Sequence, residues 1–154
     1  MSFKHLSEST KKTEQLGKIL AKNLKPGDIV CLFGELGSGK TVLTKGIAQG
    51  LKIKKKDVHS PTFTLMNIYP GPKVPVYHFD LYRIRKPKEI EAIGYEDFLY
   101  GEGISIVEWA DRLGPLLPKA CLSVKIEHKS ENERFLTITG KTKRFKELVE
   151  KIKI

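Results

Sequence analysis

The chain has 154 residues, a length expected to form one domain over 1–154, and its 40% hydrophobic and 30% charged content is ordinary for a soluble globule. Wholesale disorder, collagen and coiled coil are thereby excluded. The 28 basic side chains exceed the 18 acidic ones to give a net charge of +10, unevenly placed: residues 1–88 carry 17 basic and 6 acidic groups, 89–111 carry 7 acidic and no basic groups, and 112–154 carry 11 and 5. Such a surface suits a polyanionic partner through counterion release, although a lysine-rich solvated face gives the same arithmetic. The first ten residues lack the apolar stretch of a secretory signal, and no run approaches the roughly 18 apolar residues of a membrane span. A cytoplasmic protein without membrane contact is expected. Cys31 and Cys121 match no CxxC or zinc spacing and read as buried small hydrophobes.

In chain order, Leu16, Ile19, Leu20 and Leu24 recur at three- and four-residue steps and predict an amphipathic helix over 7–24, with Ser7 or Ser9 as cap and Pro26 and Gly27 as its stop. Residues 29–33 (Ile, Val, Cys, Leu, Phe) form a continuous apolar run, the pattern of a strand covered on both faces, ended by Gly34. Leu43, Ile47 and Leu51 mark a helix over 40–51. Strands are expected at 63–69 and 74–82, joined through Pro70, Gly71 and Pro72 as an antiparallel hairpin. Short helices follow over 87–93 and 95–99, then a buried strand over 104–107, a final hairpin from 121–127 and 135–139, and a closing helix over 143–152.

One motif fixes the chemistry. Gly34, Glu35, Leu36, Gly37, Ser38, Gly39, Lys40 and Thr41 satisfy the P-loop pattern of Gly, any four residues, Gly, Lys, then Ser or Thr, with Val42 next in the helix. The glycines let backbone N–H groups approach phosphate oxygens, and the following helix turns its positive dipole end toward the same anion. Lys40 supplies a charge for the β- and γ-phosphates, and the Thr41 hydroxyl can ligate magnesium. A chance match in a chain of this composition is on the order of one or two per cent. The setting, a buried strand handing over to an amphipathic helix, makes an incidental glycine-rich turn a poor explanation. The predicted architecture is an α/β, P-loop NTPase-like three-layer sandwich whose mixed central sheet contains antiparallel hairpins.

A P-loop site also needs a carboxylate for the metal, usually after an apolar strand. Glu108 follows Ile104, Ser105, Ile106 and Val107 and fits best; Asp80 follows Val76, Tyr77, His78 and Phe79, and could instead pair with a neighbouring base. Between loop and Asp80, Ser60, Pro61, Thr62 and Phe63 could form a switch segment in which Thr62 reaches the γ-phosphate or its metal; a capping Ser and a strand-starting Thr is the plainer reading. His59 and His78 show no partner at ligand spacing, and Trp109 reads as core packing.

Taken together, residues 34–41, the Ser-Pro-Thr-Phe at 60–63, His-Phe-Asp-Leu-Tyr-Arg at 78–83 and Val-Glu-Trp at 107–109 resemble the TsaE family in order and spacing. The resemblance spans nearly the whole chain, from Thr13 to Arg134. It implies a bacterial ATPase that assists the TsaD and TsaB proteins in forming N6-threonylcarbamoyladenosine at position 37 of tRNAs reading ANN codons, with ATP and Mg2+ bound and tRNA contact as a further expectation. By the same resemblance Thr41 and Glu108 would coordinate magnesium, Lys40, Asp80 and Thr62 would support hydrolysis or sensing, and Thr10 and Arg134 would contact the adenosine. A small-molecule kinase and a non-catalytic, ATP-switched binding module are the competing readings. The former generally needs a lid and an acceptor pocket, and no arginine-rich lid is visible; Arg83, Arg85 or Arg112 could serve phosphate backbones in the latter.

Overall fold

The computed structural model describes residues 1–153 and places the apolar run Ile29–Phe33 at the centre of a seven-stranded sheet. The strands are β1 (Ser2–Ser7), β2 (Ile29–Phe33), β3 (Met66–Tyr69), β4 (Val76–Asp80), β5 (Ile104–Glu108), β6 (Leu122–His128) and β7 (Arg134–Gly140), in the spatial order β1-β7-β6-β2-β5-β4-β3. Four neighbours, β6, β2, β5 and β4, run parallel, and the two flanks close antiparallel. Parallel strands must be covered on both faces, which explains why β2 is apolar throughout and every residue of β5 is buried.

Strand alternation divides the core in two. Val30 and Leu32 of β2 join Ile106, Val124 and Leu136 beneath α1 (Thr10–Lys22), α2 (Lys40–Gly50) and α5 (Lys143–Ile152). Ile29 and Cys31 face the other way, onto Phe79, Val107 and the short helices α3 (Pro87–Glu91) and α4 (Tyr95–Leu99), with the 3-10 stretch Ala110–Leu116 completing that layer. The expected three-layer architecture with a mixed sheet and antiparallel hairpins is therefore present. Helices α1 and α2 approach unusually closely because glycines line their contact: a Cβ on Gly46 would collide with the Glu14 carbonyl, and one on Gly17 would lie 2.7 Å from the Leu43 oxygen. Among the described residues, no helix is long and apolar enough to cross a membrane.

The differences from the sequence reading have physical causes. Strand β1 was not anticipated, because its Ser-Phe-Lys-His-Leu-Ser alternates weakly and lies at an edge; it is held by a non-local ladder running from Ser2 opposite Thr139 to Ser7 opposite Arg134. The first helix accordingly starts at Thr10 rather than residue 7. Ser9 is its cap, accepting from the Lys12 N–H at 3.1 Å, while Ser7 is buried against the Thr13 hydroxyl at 2.7 Å. The strand expected from 63 begins only at Met66, since residues 62–64 form a turn that ends with Leu65 at φ 70° and its N–H on the Pro61 carbonyl. The strand expected over 74–82 is confined to Val76–Asp80.

Candidate functional site

The parallel strands set the site's position. Their register places Leu32 beside Glu108 and Glu108 beside Asp80, so the loop after β2 and both candidate acids meet at the carboxyl ends of adjacent strands, where open α/β sheets bind ligands. A cavity of about 300 Å³ lies there, lined by the glycine-rich loop, Lys40, Thr41, Thr62, Asp80 and Glu108 among others.

The loop geometry follows from its glycines. Gly34 has no room for a side chain: a Cβ would come within 2.6 Å of Ser38 Oγ and 2.7 Å of the Ile126 carbonyl. Gly39 precedes α2 at φ 110°, a left-handed conformation that other residues resist. Buried Lys40 turns back over the loop, donating to the carbonyls of Gly34 (2.6 Å) and Glu35 (2.8 Å), and its ammonium lies 4.0 Å from the Trp109 ring centroid. Burial lowers the Lys40 pKa below the ordinary lysine value, against the opposing pull of Glu108, Asp80 and Asp111.

The acids do different things. Glu108, almost fully buried, accepts from Thr41 Oγ1 at 2.8 Å through Oε1, while Oε2 meets His78 Nε2 and, at 3.5 Å, Thr44 Oγ1. Asp80 accepts through Oδ2 from Ser60 Oγ (2.7 Å) and Thr62 Oγ1 (3.0 Å), and through Oδ1 from the Tyr82 N–H (3.0 Å). The base that Asp80 was allowed as a partner is replaced by these hydroxyls. Hydroxyl and carboxylate oxygens of the kind joined at Thr41 and Glu108 are hard donors, and a pair of them beside a phosphate-sized cradle fits magnesium, which binds through one or two protein oxygens plus phosphates and water.

The other sequence candidates lie around this centre. Glu35 and Leu36 shape the loop, with Leu36 exposed at the mouth and Val42 lining the cavity from the first turn of α2. Arg134 stands at the start of β7 and donates from Nε to the Ser38 carbonyl at 3.1 Å, bracing the loop from the side; Thr10 is exposed at the start of α1, close in sequence to Ser7, which pairs with Arg134. Neither Thr10 nor Arg134 lines the cavity. Arg83, Arg85 and Arg112 share a separate open concavity of about 530 Å³ with Tyr82 and Glu89.

The structure adds detail at two single residues. Trp109 is only partly core: it takes a left-handed backbone (φ 58°) just after Glu108, which folds its ring under Lys40 and against Tyr82 at 5.0 Å between centroids. His78 belongs to no metal-ligating cluster among the described residues and is instead hydrogen-bonded to Glu108 and Tyr69. Its phase on β4, two residues before Asp80 and on the same strand face, was the signal available in the sequence. No comparable local signal marks Tyr69, whereas Ser60 belongs to the Ser-Pro-Thr-Phe segment read as a candidate switch.

A sequence-family model described as "Threonylcarbamoyl adenosine biosynthesis protein TsaE" matches residues 7–136. Among curated proteins, the chain is 39% identical over 140 residues to the tRNA threonylcarbamoyladenosine biosynthesis protein TsaE of Bacillus subtilis, covering 91% of this chain and 87% of that protein. It is 40% identical to the protein of the same name from Rickettsia prowazekii (87% and 92% covered) and 33% identical to that of Treponema pallidum (86% and 97% covered). The crystal structure of YdiB from Bacillus subtilis superposes with a TM-score of 0.84 at 33% identity, covering 99% of this chain and 94% of that one.

Proposed function

Since this chain belongs to the TsaE family of threonylcarbamoyl adenosine biosynthesis proteins, we propose that it is a magnesium-dependent ATPase that assists the TsaD and TsaB proteins in forming N6-threonylcarbamoyladenosine at position 37 of tRNAs reading ANN codons. One observation carries the reading: the Thr41 hydroxyl and the Glu108 carboxylate are joined directly beneath the loop that ends in Lys40, with Asp80 on the adjacent strand end.

In this reading the loop amides and the α2 N-terminus hold the phosphates of ATP, and Lys40 exchanges the carbonyls of Gly34 and Glu35 for phosphate oxygens. Thr41 and Glu108 would hold magnesium, which when bound supplies charge neutralisation to the phosphate oxygens. Asp80 fixes the hydroxyls of Ser60 and Thr62 at the cavity wall, where Thr62 is placed to orient water or sense the terminal phosphate. Attack of water on the terminal phosphorus breaks its bond to the bridging oxygen, and Lys40 with the loop amides stabilises the charge that develops. Arg134 and Thr10 contact the adenosine beyond the loop, and Arg83, Arg85 and Arg112 offer tRNA phosphates a basic concavity. Such a protein works in the cytoplasm.

The test is phosphate release from ATP with and without TsaD and TsaB. Magnesium-dependent release that rises with the partners supports the reading; absence of both ATP binding and partner binding ends it. Phosphorylation of a metabolite in a panel would favour a kinase, and tight ATP binding without turnover a switch.

A further inference from the structure

His78 has no solvent exposure, and both ring nitrogens are engaged. Nε2 meets Glu108 Oε2, and Nδ1 lies 2.9 Å from Tyr69 Oη. Tyr69 Oη lies 2.9 Å from the His59 carbonyl as well, so its single hydrogen serves either that carbonyl or His78 Nδ1, while it accepts the His59 N–H at 3.2 Å. Asn67 Nδ2 donates to the same carbonyl at 2.9 Å. His59 immediately precedes Ser60, which donates to Asp80 at 2.7 Å. A continuous hydrogen-bonded chain therefore runs from Glu108 through His78, Tyr69 and the backbone of His59 to the hydroxyls that hold Asp80.

A carboxylate's terminal torsion is broad and does not fix itself. Packing alone would be served better at position 78 by an apolar side chain, because a buried imidazole must have its nitrogens satisfied. Here each nitrogen is aimed along one route, with the carboxylate proposed for magnesium at one end and the loop 59–62 at the other. We propose that His78 and Tyr69 are positioning residues of the nucleotide site: they hold the Glu108 carboxylate toward Thr41 and tie it to the backbone at His59, so that Glu108 and the Ser60–Thr62 hydroxyls keep their places as one unit. The proposal rests on the reading that Thr41 and Glu108 take magnesium.

Two variants and two measurements test it. Tyr69→Phe removes one oxygen, touches neither Glu108 nor the cavity, and keeps the ring; His78→Gln keeps polar atoms but not the two-ended geometry. Binding of a nonhydrolysable ATP analogue is measured without metal and across a Mg2+ titration, and amide hydrogen exchange is followed over 59–65. Both variants are expected to bind the analogue without metal as the unaltered protein does, to lose on the order of tenfold in Mg2+ affinity, as carboxylate-orienting partners do elsewhere, and to exchange faster over 59–65. Unchanged Mg2+ affinity and exchange in folded Tyr69→Phe would overturn the proposal, as would an equal loss with and without metal. If the unaltered protein binds the analogue with no Mg2+ dependence, the magnesium reading itself fails, a result distinct from failure of the variants alone.

Discussion

Thr41 Oγ1 donates to Glu108 Oε1 across 2.8 Å, joining the first turn of α2 to the last residue of β5 over 67 positions of sequence. The contact makes one unit of two groups that a metal would otherwise have to gather. Thr41→Ala and Glu108→Gln are each expected to reduce the Mg2+-dependent part of nucleotide affinity, and the double variant to lose less than the sum, because on the proposed reading both hold the same ion. Glu108→Ala should in addition destabilise the fold by about 1–3 kcal/mol, since it leaves a fully buried His78 nitrogen without its hydrogen-bond partner. Urea denaturation of Glu108→Ala and Glu108→Gln separates the two effects.

Trp109 is the chain's one tryptophan, and its ring lies 4.0 Å from the Lys40 ammonium and 5.0 Å from Tyr82. Any ligand that draws Lys40 off the Gly34 and Glu35 carbonyls must alter the field at that ring. Adding ATP should therefore change tryptophan emission saturably, and Lys40→Ala should shift the resting spectrum and remove the response. Fluorescence titration checks both. An emission spectrum unmoved by saturating ATP would contradict the placement of Lys40 in binding.

The glycine-rich loop was readable in the sequence because its pattern occupies eight consecutive residues in a strand-to-helix turn. Glu108 was readable for a related reason: an acid closing an apolar strand is expensive without a cation. The remaining wall was not. Tyr69 reaches His78 only diagonally across the β3–β4 ladder, and Ser60 reaches Asp80 only through the turn at 62–64; the antiparallel hairpin was expected, but which side chains meet across it was not. Strand β1 was missed on the same grounds, its partner β7 lying at the far end of the chain. Trp109 packs against the second core as expected, and what the sequence does not show is the left-handed turn that also brings its ring under Lys40.

Gly46 sits where α2 crosses α1, and a Cβ there would collide with the Glu14 carbonyl. Alanine favours a helix over glycine by about 1 kcal/mol, but an overlap with backbone cannot be relieved by changing a rotamer. Gly46→Ala should thus lower stability by about 1–3 kcal/mol despite the better helix former. Because α2 carries Lys40 and Thr41 at its start, the displaced helix should weaken ATP binding as well. Calorimetric unfolding and ATP titration of the same variant check the pair of effects.

Cys31 on β2 and Cys121 just before β6 share the second core, where the neighbouring Cys31 thiol holds Cys121 down to about 7 and Cys31 itself is raised. Thiolate absorbance followed against pH should show one group ionising near neutrality. In Cys31→Ala that step should move up toward 9.0, the ordinary thiol value. A near-neutral step that persists in Cys31→Ala would assign the shift to some other neighbour.

Lys40 ties stability to function with opposite signs. Its pKa is lowered by burial from the ordinary 10.5, so the folded state releases its proton at lower pH than the unfolded chain does. Between the two values the unfolded chain binds more protons, and stability must rise with pH through that window. Below it the fold carries a buried cation at a disadvantage. Lys40→Met is therefore expected to unfold at a higher temperature than the unaltered protein at neutral pH, to lose this residue's share of the alkaline gain, and to lose ATP binding. In the unaltered protein, ATP affinity should fall as pH rises through the same window, because the neutral amine no longer attracts phosphate. Thermal unfolding and ATP titration from pH 7 upward measure the two trends together. A Lys40→Met protein less stable than the parent would mean that the bonds to Gly34 and Glu35 and the contact with Trp109 outweigh the desolvation of the ammonium.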